Sequence, residues 1–337
     1  MSTLRRGNSE ISNCNKNGER CFSPPNGRCT VLSPNTSDHN GTFFSQEKFI
    51  RAVVEAETTN FRTLKLQTGN SPTHLFGLAS THKFNTRRVW LAPFGLYAYP
   101  INGADGSRIS DLITELKTFR TIAFYWSVRF DHGDLANQLE RCGLDRREYT
   151  TQVVYLTGPY DAVFKGFSET TRNKIRKAER KGLVVRRATE PEDVSSYYEI
   201  YQQLRGTRGD WTENYTESLF SALVSLTDDV VFLLAELDKQ PIAGGWFFRD
   251  GNSFMYWHGA LDYRFKDYFP HYALLNHAIH LASEEGMSAF NMGASVGKES
   301  VEHFKSLWGS HKVPCWWFTW ENPIWASIAT VRKRIPW

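Results

Sequence analysis

Nowhere in the 337 residues do eighteen apolar residues run together, so no segment predicts a membrane-spanning helix. The opening MSTLRRGNSEISNCNKNGER lacks the apolar stretch of a signal peptide, and the expectation is a cytoplasmic protein. Cysteine is scarce. Of the five (Cys14, Cys21, Cys29, Cys142, Cys315), three fall in the first thirty residues and none shows CxxC spacing, which argues against a zinc knuckle or a paired-thiol redox centre. An odd, scattered count suits a reducing compartment, and no metal site is expected. Excess charge is also missing: 40 basic residues face 36 acidic ones, for a net +4. No global field calls for nucleic acid, specific DNA binding is not expected, and any anion binding must be local.

What is present is apolar and aromatic content, at 41% and 14%, enough for sizeable cores in about two domains. Residues 1–38 are rich in Ser, Asn, Gly and Pro and cannot bury enough surface to offset chain entropy, so they read as a disordered tail. Order is expected from TFFSQEKFIRAVVEA, where Ser45 can cap a helix with Phe49, Ile50, Val53 and Val54 at helical spacing. Helices and strands then alternate to about residue 156, and the alternation restarts there.

The second stretch holds a basic helix in FSETTRNKIRKAERKGLVV, then PEDVSSYYEIYQQL and TENYTESLFSALVSL as helices. Three strands follow, VVFLLAEL, PIAGGWFF and SFMYWHGAL, joined by hairpin turns at Asp238-Lys239-Gln240 and Asp250-Gly251-Asn252. PHYALLNHAIHLASEEG reads as a helix with Pro270 in its first turn and Gly286 as its stop. A strand SAFNMG, a helix ESVEHFKSLWG and a strand HKVPCWWFTW complete the chain before the tail.

This order of elements resembles that of the GNAT acyltransferase fold. Three stretches narrow the resemblance to its FemAB-like branch: FSETTRNKIRKAERKGLVV, LLNHAIHLASEEGMSAFNMG and VEHFKSLWGS. FFSQEKFIRAV and LAPFGLYAYP are similar to the matching elements of an upstream half, so the resemblance spans roughly residues 42–335. It implies an α/β (α+β) chain of two tandem GNAT-like domains, at 39–156 and 157–320, each a mixed, mostly antiparallel sheet flanked by helices. The active cleft is expected in the second domain, and residues 321–337 in a C-terminal amphipathic helix. Two departures stand out. Asn291 occupies a place where the family usually has an acidic residue, and the long paired-helix insertion of the tRNA-dependent cell-wall enzymes is missing.

Acyl transfer to an amine needs a neutral amine, an aligned attack on the carbonyl, and donors for the oxyanion. The common GNAT arrangement splays two neighbouring strands around the donor arm and offers a glycine-rich turn before a helix to its diphosphate. Here the corresponding connection ALDYRFKDYFPHYALL has no glycine after Gly259, which leaves Arg264 and Lys266 as candidate donor-binding charges or as plain surface residues. Coenzyme A is therefore implied by the fold alone: no tightly bound cofactor is expected, and acyl-CoA is the expected co-substrate.

His258 and Tyr256 fall on one face of their strand by the two-residue period, and both are catalytic candidates. His258 is read as a general base or a substrate ligand, with a hydrogen-bonded core histidine as the other reading. On its helix Lys305 stands at the edge of the stripe Val301, Phe304 and Trp308. The resemblance implies a substrate-positioning or oxyanion-stabilising role for Lys305, with Phe304, Trp308 and Asn291 near the substrate. On the basic helix, Arg172 and Arg176 are candidate phosphate contacts, against the reading of a solvated face. Trp211, in GTRGDWTENY, lies on a candidate flap.

The expected activity is N-acyl transfer from an activated donor to an amino group of a sugar, polysaccharide or cell-envelope precursor, the acceptor being lipid- or nucleotide-linked. An aminoacyl-tRNA-dependent transferase and a non-catalytic glycan-binding protein are the alternatives. The segment NPIWASIATVRKRIPW places Ile324, Trp325, Ile328 and Val331 at helical spacing beside Arg332, Lys333 and Arg334, a candidate contact with the inner membrane surface or with the second half.

Overall fold

A computed structural model of the chain describes residues 42–56, 61–67, 73–103, 105–208, 214–295 and 297–327. The predicted tail, Trp211 and the last turns of the C-terminal helix lie outside these residues; 323–327 are helical. In chain order, α1 (Glu47–Ala56) precedes β1 (Phe61–Gln67), β2 (His74–His82) and β3 (Thr86–Trp90). Next come α2 (Gly106–Leu116), β4 (Thr121–Val128), α3 (Gly133–Arg141) and β5 (Asp145–Tyr155). The series continues with α4 (Tyr160–Gly166), α5 (Glu169–Arg180), β6 (Val184–Arg187), α6 (Pro191–Arg208) and α7 (Glu217–Val224). It then runs through β7 (Val230–Leu237), β8 (Gln240–Asp250), β9 (Ser253–Leu261), α8 (Pro270–Glu284), β10 (Ala289–Ala294), α9 (Glu299–Ser306) and β11 (His311–Glu321).

Local chemistry explains most of these boundaries. Asp105, Ser168 and Thr216 accept the exposed amides of Arg108, Thr171 and Leu219 at the starts of α2, α5 and α7. Pro270 opens α8, and Gly286, at φ 72°, stops it. Asp238 and Lys239, at φ 51° and 66°, make the tight turn between β7 and β8. The expected cap at Ser45 is not formed. Its hydroxyl instead lies within hydrogen-bond distance of the Thr42 and Tyr99 carbonyls, the Tyr99 oxygen being nearer, and α1 begins two residues later.

The strands expected in two sheets lie in a single eleven-stranded sheet of order β1-β2-β3-β4-β11-β5-β10-β9-β8-β7-β6. Leaving out β6, this order is mirrored about its centre. The antiparallel meander β1-β2-β3 is followed by the parallel neighbour β4, and β7-β8-β9 by the parallel neighbour β10. The last strand of each half sits beside the other half: β5 pairs with β10, and β11 with β4. β5 and β11 pair with each other from Val153↔His311 to Asp145↔Thr319, which removes the two edges that separate sheets would expose.

In the second half, α5, α8 and α9 cover one face, where Ile175, Leu274, Ile279 and Trp308 pack on Phe247, Phe254 and Phe290. The other face carries α6 and α7, with Tyr197, Leu219 and Phe220 against Phe232 and Trp246. Among the described residues no helix is long and apolar enough to cross a membrane.

Candidate active site

β9 and β10 pair in parallel only over Ser253↔Ala289, Phe254↔Phe290 and Met255↔Asn291. β9 continues to Leu261 and β10 to Ala294, so beyond Met255 the two strands part and leave backbone groups without a ladder partner between them. Two irregularities sit at this point. β9 is bulged: Trp246 pairs with His258 and Phe247 with Tyr256, which leaves Trp257 as the extra residue. β10 is irregular between Asn291 and Ala294, where Gly293 takes φ 76°.

Lys305 of α9 enters this opening from the α5/α8/α9 side. Its Nζ donates to the carbonyls of Gly293 and Ala294 at 2.8 and 2.9 Å, and the side chain is buried at 6% exposure. An ammonium has three donors, so one N–H remains for a carbonyl oxygen placed between the strands. Burial, partly opposed by Glu302, lowers its pKa to about 8, which leaves it mostly charged at neutral pH. Phe304, beside it, meets the ring of Tyr272 edge to face at 5.4 Å, and Lys174 of α5 donates to the Tyr272 hydroxyl at 3.0 Å. Lys174 and Tyr272, which sequence reasoning passed over, thus join α5 to the helix that carries Lys305. A lysine halfway along the basic helix was the available signal.

His258 lies on the opposite face. The bulge puts Trp257 and His258 on the same side of β9, and the two-residue rule that paired His258 with Tyr256 fails there. Tyr256 packs instead on the α8 side, against Phe247, with its hydroxyl under Gly259, a position where any Cβ would strike it. Tyr197, Tyr201, Tyr215 and Phe220 surround the His258 ring, with centroids 4.9–6.1 Å away. Its Nδ1 is 2.5 Å from the Tyr197 hydroxyl. Burial, helped by nearby His271, holds its pKa down at about 3. The ring is neutral at physiological pH, and its low basicity makes it a poor proton acceptor, which favours the reading of a hydrogen-bonding ligand over that of a general base.

Several other expectations are corrected. Asn291 is fully buried, and its polar atoms are engaged: Oδ1 accepts from Thr151 at 2.7 Å and from the Gly293 amide at 2.9 Å, while Nδ2 donates to the Tyr97 hydroxyl at 3.3 Å. It shapes the irregular end of β10 and presents nothing to a substrate. Trp308 is likewise fully buried, edge to face with Phe167 at 5.1 Å. Arg172 caps α4 by donating to the carbonyls of Lys165 and Phe167, and Arg176 lies over the Phe164 ring at 5.7 Å, so the two do not converge on one anion.

On the donor connection, Asp262 accepts both the amide and the guanidinium of Arg264. The Phe265 and Phe269 amides are paired within the same turn. A diphosphate would find these amides taken and the exposed Arg264 already paired with a carboxylate, which leaves Lys266 as the exposed cation of this turn without such a partner among the described residues. No group of metal-ligating side chains occurs among the described residues. A surface dent lined by Glu55, Ala56, Glu217, Ser218, Ser221 and Ala222 lies between α1 and α7 and touches none of the candidate residues.

This architecture has known counterparts. Residues 165–306 match the family model of the acetyltransferase (GNAT) domain. The crystal structure of FemX superposes with a TM-score of 0.67 at 16% identity, covering 87% of this chain and 96% of that one. The C-terminal domain of a candidate lysylphosphatidylglycerol synthetase from Agrobacterium fabrum gives 0.55 at 12% identity, covering 86% and 92%. L-PGS from Bacillus licheniformis gives 0.54 at 14% identity, covering 87% and 97%. No curated protein sequence matches the chain. A parted strand pair, a GNAT-domain match over residues 165–306 and a FemX-like course along most of the chain lead to one assignment: the chain has the fold of FemX, and its second half is similar to the acetyltransferase (GNAT) domain.

Proposed function

We propose that this chain is an N-acyltransferase whose cleft lies in the second half, between β9 and β10, and whose acceptor is an amino group on a sugar or cell-envelope precursor. The observation that carries this reading is the buried Lys305 ammonium at the open end of β10, with one donor left over. The donor carbonyl lies in the opening with its oxygen toward Lys305. The amine nitrogen attacks the carbonyl carbon from the His258 side, the bond to the leaving group breaks, and Lys305 stabilises the oxyanion formed between these events. Tyr256, on the donor side, is the proposed proton source for the leaving group. The proton lost by the amine goes to water.

Acyl-CoA is the donor this fold suggests, and a second reading has its own support. The occupied amides and the Asp262 carboxylate disfavour a diphosphate, while Arg176, Lys177 and Arg180 stand exposed along α5, next to the Lys174–Tyr272 contact. An aminoacyl ester on RNA would use such a flank. The lysylphosphatidylglycerol synthetase named among the similar structures makes an aminoacyl acceptor chemistry of the same kind a natural comparison. Thermal-shift titration with acetyl-CoA, longer acyl-CoAs and charged tRNA separates the donors, because only a ligand of the folded state raises the melting temperature. Transfer assays on the donor that binds then test the enzyme reading. If the Lys305→Gln variant transfers at the wild-type rate, the proposed site is wrong. If no donor binds, the non-catalytic glycan-binding alternative takes its place.

A further inference from the structure

We infer that His258 is locked as the Nε2–H tautomer and serves as a hydrogen-bond donor to an oxygen of the acceptor, with Tyr197 as the positioning residue that sets the tautomer. The inference deepens the proposed function: it rests on the acceptor approaching from the His258 face.

The argument starts from a phenol. Tyr197 is fully buried, and among the described residues its hydroxyl has a single hydrogen-bond partner, Nδ1 of His258 at 2.5 Å. A buried O–H without an acceptor is costly, so the proton points at Nδ1, and Nδ1 must offer its lone pair. A neutral imidazole carries one N–H, which then resides on Nε2. Burial holds the Tyr197 phenol well above its usual pKa, so it keeps this proton.

Tyr197 has little freedom to turn away. Its ring lies on the bare Cα of Gly244, where a Cβ would come within 2.5 Å of it, and it meets Phe220 and Phe232 edge to face. Nε2 is different. Among the described residues it has no hydrogen-bond partner, and it is not one of their enclosed unpaired atoms, so on this partly buried ring it stays accessible. The β9 bulge sets the ring beside the partly exposed Trp257, centroid to centroid 5.8 Å, and Phe94 packs on the same Trp257. A fixed N–H next to an apolar wall suits a hydroxyl or carbonyl oxygen carried near the attacking amine. It does not suit removal of that amine's proton.

The test is long-range nitrogen–proton correlation of the histidine rings in the full-length chain labelled with 15N, with His258 assigned from the resonances lost in His258→Gln. The expected result at pH 7 is a protonated Nε2 and an unprotonated Nδ1, with Tyr197→Phe shifting the ring toward a mixture of tautomers. An Nδ1–H tautomer or an imidazolium in the wild type overturns the inference, as does an unchanged tautomer in a folded Tyr197→Phe chain. The wild-type spectrum decides even if that variant fails to fold. With a working donor and acceptor, His258→Gln, which keeps a donor, should retain more kcat/KM than His258→Leu by about tenfold; equal losses overturn the donor role. If no transfer is found with any substrate, the spectra still decide the tautomer, so failure of the proposed function is told apart from failure of this inference.

Discussion

The mirrored sheet contains the same junction twice, and the two copies are finished differently. In the first half, β3 stays paired with β4 up to Trp90↔Tyr125, and the chain then folds back over the end: the Leu91 amide takes the Tyr125 carbonyl, and the Ala98 amide takes that of Ser127. Leu96, Tyr97 and Ala98 fill the space and are almost wholly buried. In the second half, β9 leaves β10 after Met255, and the carbonyls at the end of β10 are met by an ammonium from α9. A backbone plug satisfies hydrogen bonds and leaves no donor over, whereas a lysine satisfies two carbonyls and keeps an N–H. The same topology can therefore be closed as core or kept open, as at the proposed site, according to which group completes the carbonyls.

The largest effect should come from opening the plug. Leu96→Ala should lower unfolding free energy by about 2–5 kcal/mol, read by urea denaturation, without a specific loss of transfer per folded molecule. A specific loss of activity would mean that the first junction also takes part in chemistry. Lys305→Met should do the reverse, lowering kcat by about 10²–10³ with the fold retained in circular dichroism. A smaller change is expected from Gly293→Ala, where a Cβ at φ 76° costs about 1–2 kcal/mol and shifts the carbonyl that Lys305 holds; stability and kcat should fall together.

The pH profile sharpens the contrast further. The role proposed for Lys305 requires its charged form, which dominates below its pKa of about 8, so kcat/KM should fall as pH rises through that value. Lys305→Arg should move that alkaline limit upward if it retains activity. The smallest effect is expected at Arg264→Ala: its guanidinium is already held by Asp262, and donor affinity should stay unchanged in a binding titration. A clear loss of affinity would restore Arg264 as a donor contact.

Much of this was legible in the chain. Pro270 and Gly286 bounded α8, and Asp238-Lys239 turned the hairpin, because each expresses a rule local to a few residues. The candidate site was only partly legible. Lys305 was singled out by motif, and its ammonium lies on the carbonyls at the irregular end of β10, while Phe304 beside it packs on Tyr272. His258 was found with the wrong neighbour, because a single extra residue at Trp257 reverses every later side-chain direction, and no periodicity announces a bulge. Arg172 and Arg176 promised an anion site on charge alone, yet the nearest acceptors and rings were intramolecular: α4 carbonyls for one and Phe164 for the other.

Sequence alone sufficed for the element order, the hairpins and the family likeness of the second half, since turn chemistry and helical or strand period act over distances of a few residues. Tertiary structure alone decided that β5 and β11 trade places to merge two expected sheets, that Asn291 is spent on core hydrogen bonds, and that Lys305 is buried with a donor unspent. Those outcomes depend on which distant carbonyls, hydroxyls and rings come to rest together, and no local pattern carries that information.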